Sequence, residues 1–181
     1  FGGNSKEALS IIRDINKKKA TYKILGFIDD DPKKKGKEFG GVSVIGGKEV
    51  MADYPQAKVL AVQGSPSSFL ERKKSLRKFD SNRFISIVHP TAVIGEGVEL
   101  GKNNLIMAGV VLTASIKLGD HLIILPNTVI SHDVAIKDFS MIGSNVSISG
   151  YSTVGSNCYI GSGSKIINGI NIGNNSLVGL G

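Results

Sequence analysis

From Val88 onward, every sixth residue is aliphatic. The series Val88, Ile94, Leu100, Ile106, Leu112, Leu118, Ile124, Ile130, Ile136, Ile142, Ile148, Val154, Ile160, Ile166, Ile172, Val178 runs through sixteen members without a slip. Chance does not sustain such a run, and neither the helical period nor strand alternation produces it. Three residues after each aliphatic, the positions from 97 to 175 read Gly, Asn, Gly, Ser, His, Asn, Asp, Phe, Asn, Tyr, Asn, Gly, Gly, Asn. Ten of those fourteen are Gly, Asn or Asp, the residues that accept a left-handed backbone in a tight turn. A short strand, a tight turn and an inward aliphatic every six residues predict one face of a β-solenoid. Three faces make a coil of 18 residues, and successive coils stack about 4.8 Å apart as parallel strands. Residues 88–181 therefore hold about five coils.

The first half is built differently. "NSKEALSIIRDINKKKA" reads as a helix capped by Asn4 or Ser5, with lysines in its last turn. "TYKILGFIDDDP" reads as a strand ending in carboxylates, "KVLAVQG" as a second strand, "PSSFLERKKSLRKF" as a helix and "RFISIVHP" as a third strand. Alternating strand and helix predict a parallel α/β sheet of Rossmann-like type over residues 1–87. "FGGNS" directly before a helix matches the end of a glycine-rich nucleotide loop, with Asp29–Asp31 where an acidic ribose or base contact falls. The strand and first glycine that usually precede such a loop are not in the sequence. The alternative is a helix N-terminus whose glycines serve backbone geometry alone. One half of a dinucleotide fold, enough for a mononucleotide or sugar nucleotide, fits 87 residues.

Charge follows the same division. Eighteen of the 22 Lys and Arg lie in residues 1–87, against 10 of the 15 Asp and Glu, so the net charge of +7 belongs to this half. Solvated lysines at helix ends account for it, as does a field that draws in a phosphate-bearing ligand. Interleaved aromatics and nucleic-acid motifs are missing, which argues against nucleic acid. No apolar run reaches the ~20 residues of a membrane span. A single cysteine, Cys158, fits a cytoplasmic protein, and its inward position suits packing.

"ISHDV" holds the residues with the most chemistry. His132 and Asp133 fall two and three positions after Ile130, at outward or turn sites, where a solvated imidazole and a turn carboxylate are the simplest reading. Coil arithmetic favours a site. Ala114 and Gly150 lie 18 residues to either side of His132, leaving room beside the ring and a bare backbone N–H at Gly150. Ser162 and Leu180 share a different edge column, so a subunit interface is needed to unite the two edges. A carbonic anhydrase-like zinc site needs three converging histidines, and His89, His121 and His132 are too far apart in register within one subunit. A structural solenoid with a nucleotide-sensing domain is a further alternative.

The chain resembles, nearly end to end, the bacterial sialic acid O-acetyltransferases and UDP-amino-sugar N-acetyltransferases of the hexapeptide-repeat superfamily. The likeness is carried by "GGNSKEAL", "GFIDDDP", "LAVQG", "ISIVHPTAVIGEGVELG" and "ISHDVAIKDFSMIGSNVSISG". The resemblance implies a left-handed β-helix over 88–181, a homotrimer and acetyl-CoA as acetyl donor, with no metal. It implies a nucleotide-sugar or sugar acceptor held by the N-terminal domain at Gly2, Gly3, Asn4, Asp29, Asp30 and Gly64. In that family the histidine matched by His132 is the general base, supported by the residue matched by Asp133, and the Gly150 position is the oxyanion donor. Ser162 and Leu180 match backbone contacts to CoA. Met141 stands where the family often has a second histidine touching acetyl-CoA. Asn4 stands where it often has a histidine. The acceptor atom is expected to be a sugar amine, with a hydroxyl as the alternative, in a pathway of polysaccharide or glycan biosynthesis.

Overall fold

The computed structural model describes residues 2–77 and 79–181; Phe1 of the "FGGNS" stretch and Lys78 of the second helical stretch lie outside the described residues. From Ile87 the chain winds through two-residue strands, β4 (Ile87–Val88) to β19 (Leu177–Val178), and the second residue of each is the aliphatic of the six-residue series. Their pairing is parallel with an 18-residue step, as in Ile124 beside Ile106 and Ile142. The ladder bonds join each residue after an aliphatic to a carbonyl 17 residues on: the Gly95 N–H donates to Leu112 O at 2.8 Å and the Thr113 N–H to Ile130 O at 3.0 Å. The result is three parallel sheets, the first beginning at Ile87–Val88, the second at Val93–Ile94 and the third at Glu99–Leu100, closed into a left-handed β-helix.

All fourteen turn positions from Gly97 to Asn175 have φ between 53° and 82°. The left-handed conformation costs a non-glycine L-residue about 1–2 kcal/mol, so Ser115, His121, Phe139 and Tyr151 stand out at this position. Inside, Ile106, Leu112, Ile124, Ile130, Ile142, Ile148 and Ile160 are fully buried in one column. Aliphatics of the end coils, Ile94 and Leu100 among them, stay partly exposed because they have a neighbour on one side only.

The first half departs from the expected Rossmann-like α/β domain. Helix α1 (Gly3–Lys18) forms where its apolar spacing predicts it, but starts from Gly2 and lacks a side-chain cap. The Asn4 amide instead donates to Val62 O at 2.9 Å and Gly64 O at 3.3 Å. Of "TYKILGFIDDDP", β1 (Phe27–Ile28) is strand. "KVLAVQG" contributes an isolated bridge from Val59 to Phe84, and the second helical stretch shortens to a 3-10 turn and α2 (Arg72–Leu76). In "RFISIVHP" the strand is β4, which belongs to the β-helix.

The physical reason is pairing. The segments around 21–28 and 58–63 both line a cleft of about 640 Å³, floored by Ala8, Leu9 and Ile12 of α1. Among the described residues no ladder joins them. Instead β1 pairs in parallel with β3 (Val42–Gly46), which closes a hairpin on β2 (Glu38–Phe39) through Gly40 and Gly41, both at positive φ. A hairpin and short turns, rather than a crossover helix, thus connect 28 to 59.

This unit is clamped to the β-helix. Ala8, Ile11, Val62 and Phe69 pack on Leu105, Ile123 and Met141, the outward residues of the first sheet. At the corner between the third and first sheets, the Arg72 guanidinium, 1% exposed, donates to Gln63 O, Phe139 O and His121 O, each at 2.8 Å. Burial lowers its pKa to about 10, which leaves it charged at neutral pH. Asn103 binds both backbone groups of Ala61, accepting its N–H at 2.7 Å and donating to its carbonyl at 2.9 Å. That fixes the amide orientation, so the second amide hydrogen faces His121 Nδ1 at 3.0 Å, and the ring must accept there as neutral imidazole. His121 stacks on Phe139 at 4.7 Å and meets the Phe84 ring edge to face at 4.8 Å.

Burial first, and Arg72 with it, lowers the His121 pKa below its ordinary 6.5, against the opposing pull of Asp120 and Asp138. A base depressed on folding keeps its full stability above the unfolded value and loses it as pH falls toward the folded one. Urea midpoints measured from pH 7.5 to 5.0 should therefore decline below about pH 6.5. His121→Phe should flatten that decline; an unchanged slope in the variant would show that the junction does not sense the proton.

Candidate active site

His132 and Asp133 lie at the corner between the second and third sheets. The His132 Nδ1 is 2.9 Å from Asp133 Oδ2, and the side chains are 49% and 44% exposed. A half-exposed pair of this kind stabilises a fold by about 1 kcal/mol at most, so what the contact achieves is orientation. A carboxylate can only accept, which places the imidazole hydrogen on Nδ1 and leaves the Nε2 lone pair free. Asp133 holds its place because its φ is 58° and its N–H donates to Ala114 O at 3.1 Å, one coil back.

One coil further on, Gly150 lies directly beneath the ring. A Cβ there would come within 2.7 Å of His132 Cε1 and 3.0 Å of Nε2. Only a glycine lets the imidazole lie on the backbone. The Gly150 N–H donates to no protein acceptor among the described residues. Tyr151, 65% exposed, sets its ring at 82° to the imidazole with centroids 5.1 Å apart. The eighteen-residue arithmetic located Gly150; Tyr151 was missed, although an aromatic in a series of Gly, Asn and Asp is a visible signal.

The remaining sequence-predicted residues are elsewhere. Gly2 and Gly3 start α1, and Asn4 is bound to the 62–64 backbone. Asp29 and Asp30 line the N-terminal cleft with Ser5 and Gln63, sequence neighbours of Asn4 and Gly64. Burial pushes the Asp29 carboxyl up, but Lys34 at 2.8 Å, with the Asp31 N–H, pulls it down below its ordinary value. Asp30 accepts the Lys48 N–H at 3.0 Å. Gly64, at φ 142°, lies under Arg72 and Met141; a Cβ there would come within 2.7 Å of both side chains.

Met141 is 3% exposed in the core between the N-terminal unit and the first sheet. It stands apart from the corner between the first and second sheets, where Ser162 accepts the Ser144 N–H at 3.1 Å and Leu180 is 80% exposed. Within one chain, then, His132 and the Ser162–Leu180 edge lie at different corners of the β-helix, and the cleft lies in the N-terminal unit. The histidines do not converge. His89 bonds Thr91 and Asp14, and His121 is wedged between aromatics. Among the described residues no group of three or more His, Cys, Asp or Glu is placed to hold a metal ion, and no helix is long and apolar enough to cross a membrane. Cys158 is buried, its thiol 3.0 Å from Gly173 O.

If Gly150 exists to seat the imidazole, Gly150→Ala should tilt the ring and break the Nδ1 contact to Asp133 while leaving the coil intact. Its φ is not in the left-handed range, and apart from the ring the added Cβ would meet the His132 carbonyl oxygen at 3.1 Å, which a backbone shift of a few tenths of an ångström relieves. Thermal melting should be nearly unchanged, and the ring ¹⁵N shifts of His132 should move. Unaltered shifts would refute the seat.

Comparison with known proteins follows the same lines. The model of the hexapeptide repeat of succinyl-transferase matches residues 91–114 and 151–181. No curated protein sequence matches the chain. Among solved structures, a histidine-to-asparagine variant of perosamine N-acetyltransferase from Caulobacter crescentus, in complex with CoA and GDP-perosamine, superposes with a TM-score of 0.87 at 25% identity, over 99% of this chain and 83% of that one. PerB from the same organism, bound to the same two ligands, gives 0.86 at 26% identity with the same coverage. The acetyltransferase domain of PglB from Neisseria gonorrhoeae, at 0.79 and 21% identity over 99% of this chain and 85% of that one, shares the fold. The six-residue register, intact through sixteen strands, is thus the one the hexapeptide-repeat model describes in part, and over nearly its whole length the chain is similar in structure to solved sugar acetyltransferases.

Proposed function

We propose that this protein transfers the acetyl group of acetyl-CoA to an amino group of a nucleotide-linked sugar, with His132 as general base. The observation that carries the reading is the seated imidazole, its Nδ1 held by Asp133 at 2.9 Å and its Nε2 edge over Gly150. The acceptor nitrogen attacks the thioester carbonyl and its proton passes to Nε2. Asp133 favours the imidazolium as the charge arrives. The Gly150 N–H, without a protein acceptor, is available to the developing oxyanion. Collapse of the tetrahedral intermediate breaks the C–S bond, and the imidazolium returns the proton to the departing CoA thiolate. Structural neighbours bound to CoA and GDP-perosamine support this donor and acceptor class, and favour an amine over a hydroxyl.

Residues 1–87 supply the acceptor contacts in this reading: Gly2, Gly3, Asp29, Asp30 and Gly64, with Asn4 holding the 62–64 backbone rather than the sugar. Ser162 and Leu180 offer backbone to CoA. Met141, buried at the junction, is left out of that contact set. Because base, donor edge and acceptor cleft are separated in one chain, the working unit is a homotrimer. Val93 and Val129, exposed on the second sheet beside the His132 corner, fit such an interface. Light scattering should report three chains; a fully active monomer would overturn this part.

Acetyl transfer should be measured with UDP-, dTDP- and GDP-linked 4-amino sugars and their hydroxyl counterparts. His132→Ala should lower turnover by about 10²–10⁴-fold with little change in acetyl-CoA affinity. Asp133→Asn should keep the left-handed turn yet lower turnover, because the charge supporting the imidazolium is gone. Full activity in His132→Ala with a good acceptor would remove the mechanism.

A further inference from the structure

We infer that Tyr151 is a positioning residue for His132, kept in an unfavourable backbone conformation for that purpose; the inference rests on His132 being the general base. Tyr151 occupies a turn position at φ 58°, where Gly or Asn is the relaxed choice. Two other aromatic residues in the same series, His121 and Phe139, have evident returns in packing: they stack on each other, His121 also meets Phe84, and both give carbonyls to Arg72. Tyr151 is 65% exposed and buries little. Its ring contact is the edge-to-face approach to the His132 imidazole. Its N–H donates to His132 O at 3.3 Å, so backbone and side chain address the same residue.

The arrangement closes the imidazole on three sides. Asp133 holds Nδ1, Gly150 supports the Cε1–Nε2 edge and Tyr151 stands against the ring from the following coil. On the side of the preceding coil the column carries only Ala114 and Ser115, which leaves that approach open to substrate. Without Tyr151, a side chain half exposed to water has rotamers that swing the ring off Gly150, and Nε2 then spends less time in line for the proton.

The test uses Tyr151→Asn and Tyr151→Phe in the full chain. Tyr151→Asn relieves the turn, so its melting temperature should equal or exceed that of the parent. Its turnover should nonetheless fall about tenfold to a hundredfold, with the KM for acetyl-CoA unchanged. Tyr151→Phe keeps the ring and should match the parent in both. Ring ¹⁵N shifts of His132 should show the Nδ1–H tautomer in the parent and Tyr151→Phe, and an averaged ring in Tyr151→Asn. These shifts decide the positioning role even if no acceptor is turned over, an outcome that would sink the acetyl-transfer reading instead. A Tyr151→Asn protein with parental shifts overturns the inference.

Discussion

The hydrogen bond from each strand to a carbonyl 17 residues on is the constraint from which the rest follows. It can be repeated only if every coil has the same length, and that requires every corner to turn in three residues with a left-handed middle. Fourteen such corners in register make the aliphatic column continuous and leave each side chain at a corner in a fixed frame. His132, Gly150 and Tyr151 come together because residues 18 apart are stacked, not because the chain was shaped around a ligand.

The N-terminal unit exploits the same frame at another corner. Its polar attachment is made largely to corner backbone or to corner side chains: Arg72 to the carbonyls of His121 and Phe139, and Ala61 to the amide of Asn103. A buried guanidinium keeps its charge here because carbonyl dipoles replace its hydration. Corners therefore do two kinds of work in this molecule. One column anchors a second structural unit and another holds the imidazole, while the aliphatic column between them is common to both.

How much of this was legible depended on how local the governing chemistry is. The strand register was readable to the residue, since period and turn type are set within six positions. The seat of His132 on Gly150 was readable from the coil length. The N-terminal half was not, because its pairings are remote: the backbone of Ala61 is satisfied by a side chain 42 residues away, and no alternation of strand and helix encodes that. The hairpin through Gly40 and Gly41 carried a local signal, a Gly-Gly pair next to Phe39 and Val42, that points to a two-residue turn. What surrounds Met141 was not legible for a related reason. Outwardness from the coil can be counted, but what covers that outward face cannot.

The uniform corner also makes the β-helix a graduated scale. A side chain moved by 18 residues keeps its orientation and shifts by one strand spacing, about 4.8 Å. On the proposed reading, the gap between the proton acceptor at one corner and a thioester held along another would lengthen or shorten in whole steps, with no change to the hydrophobic column. On that same reading, chains of this construction can accommodate acceptors of different reach by moving the imidazole and its supports at Asp133, Gly150 and Tyr151 together by whole coils along a ruler.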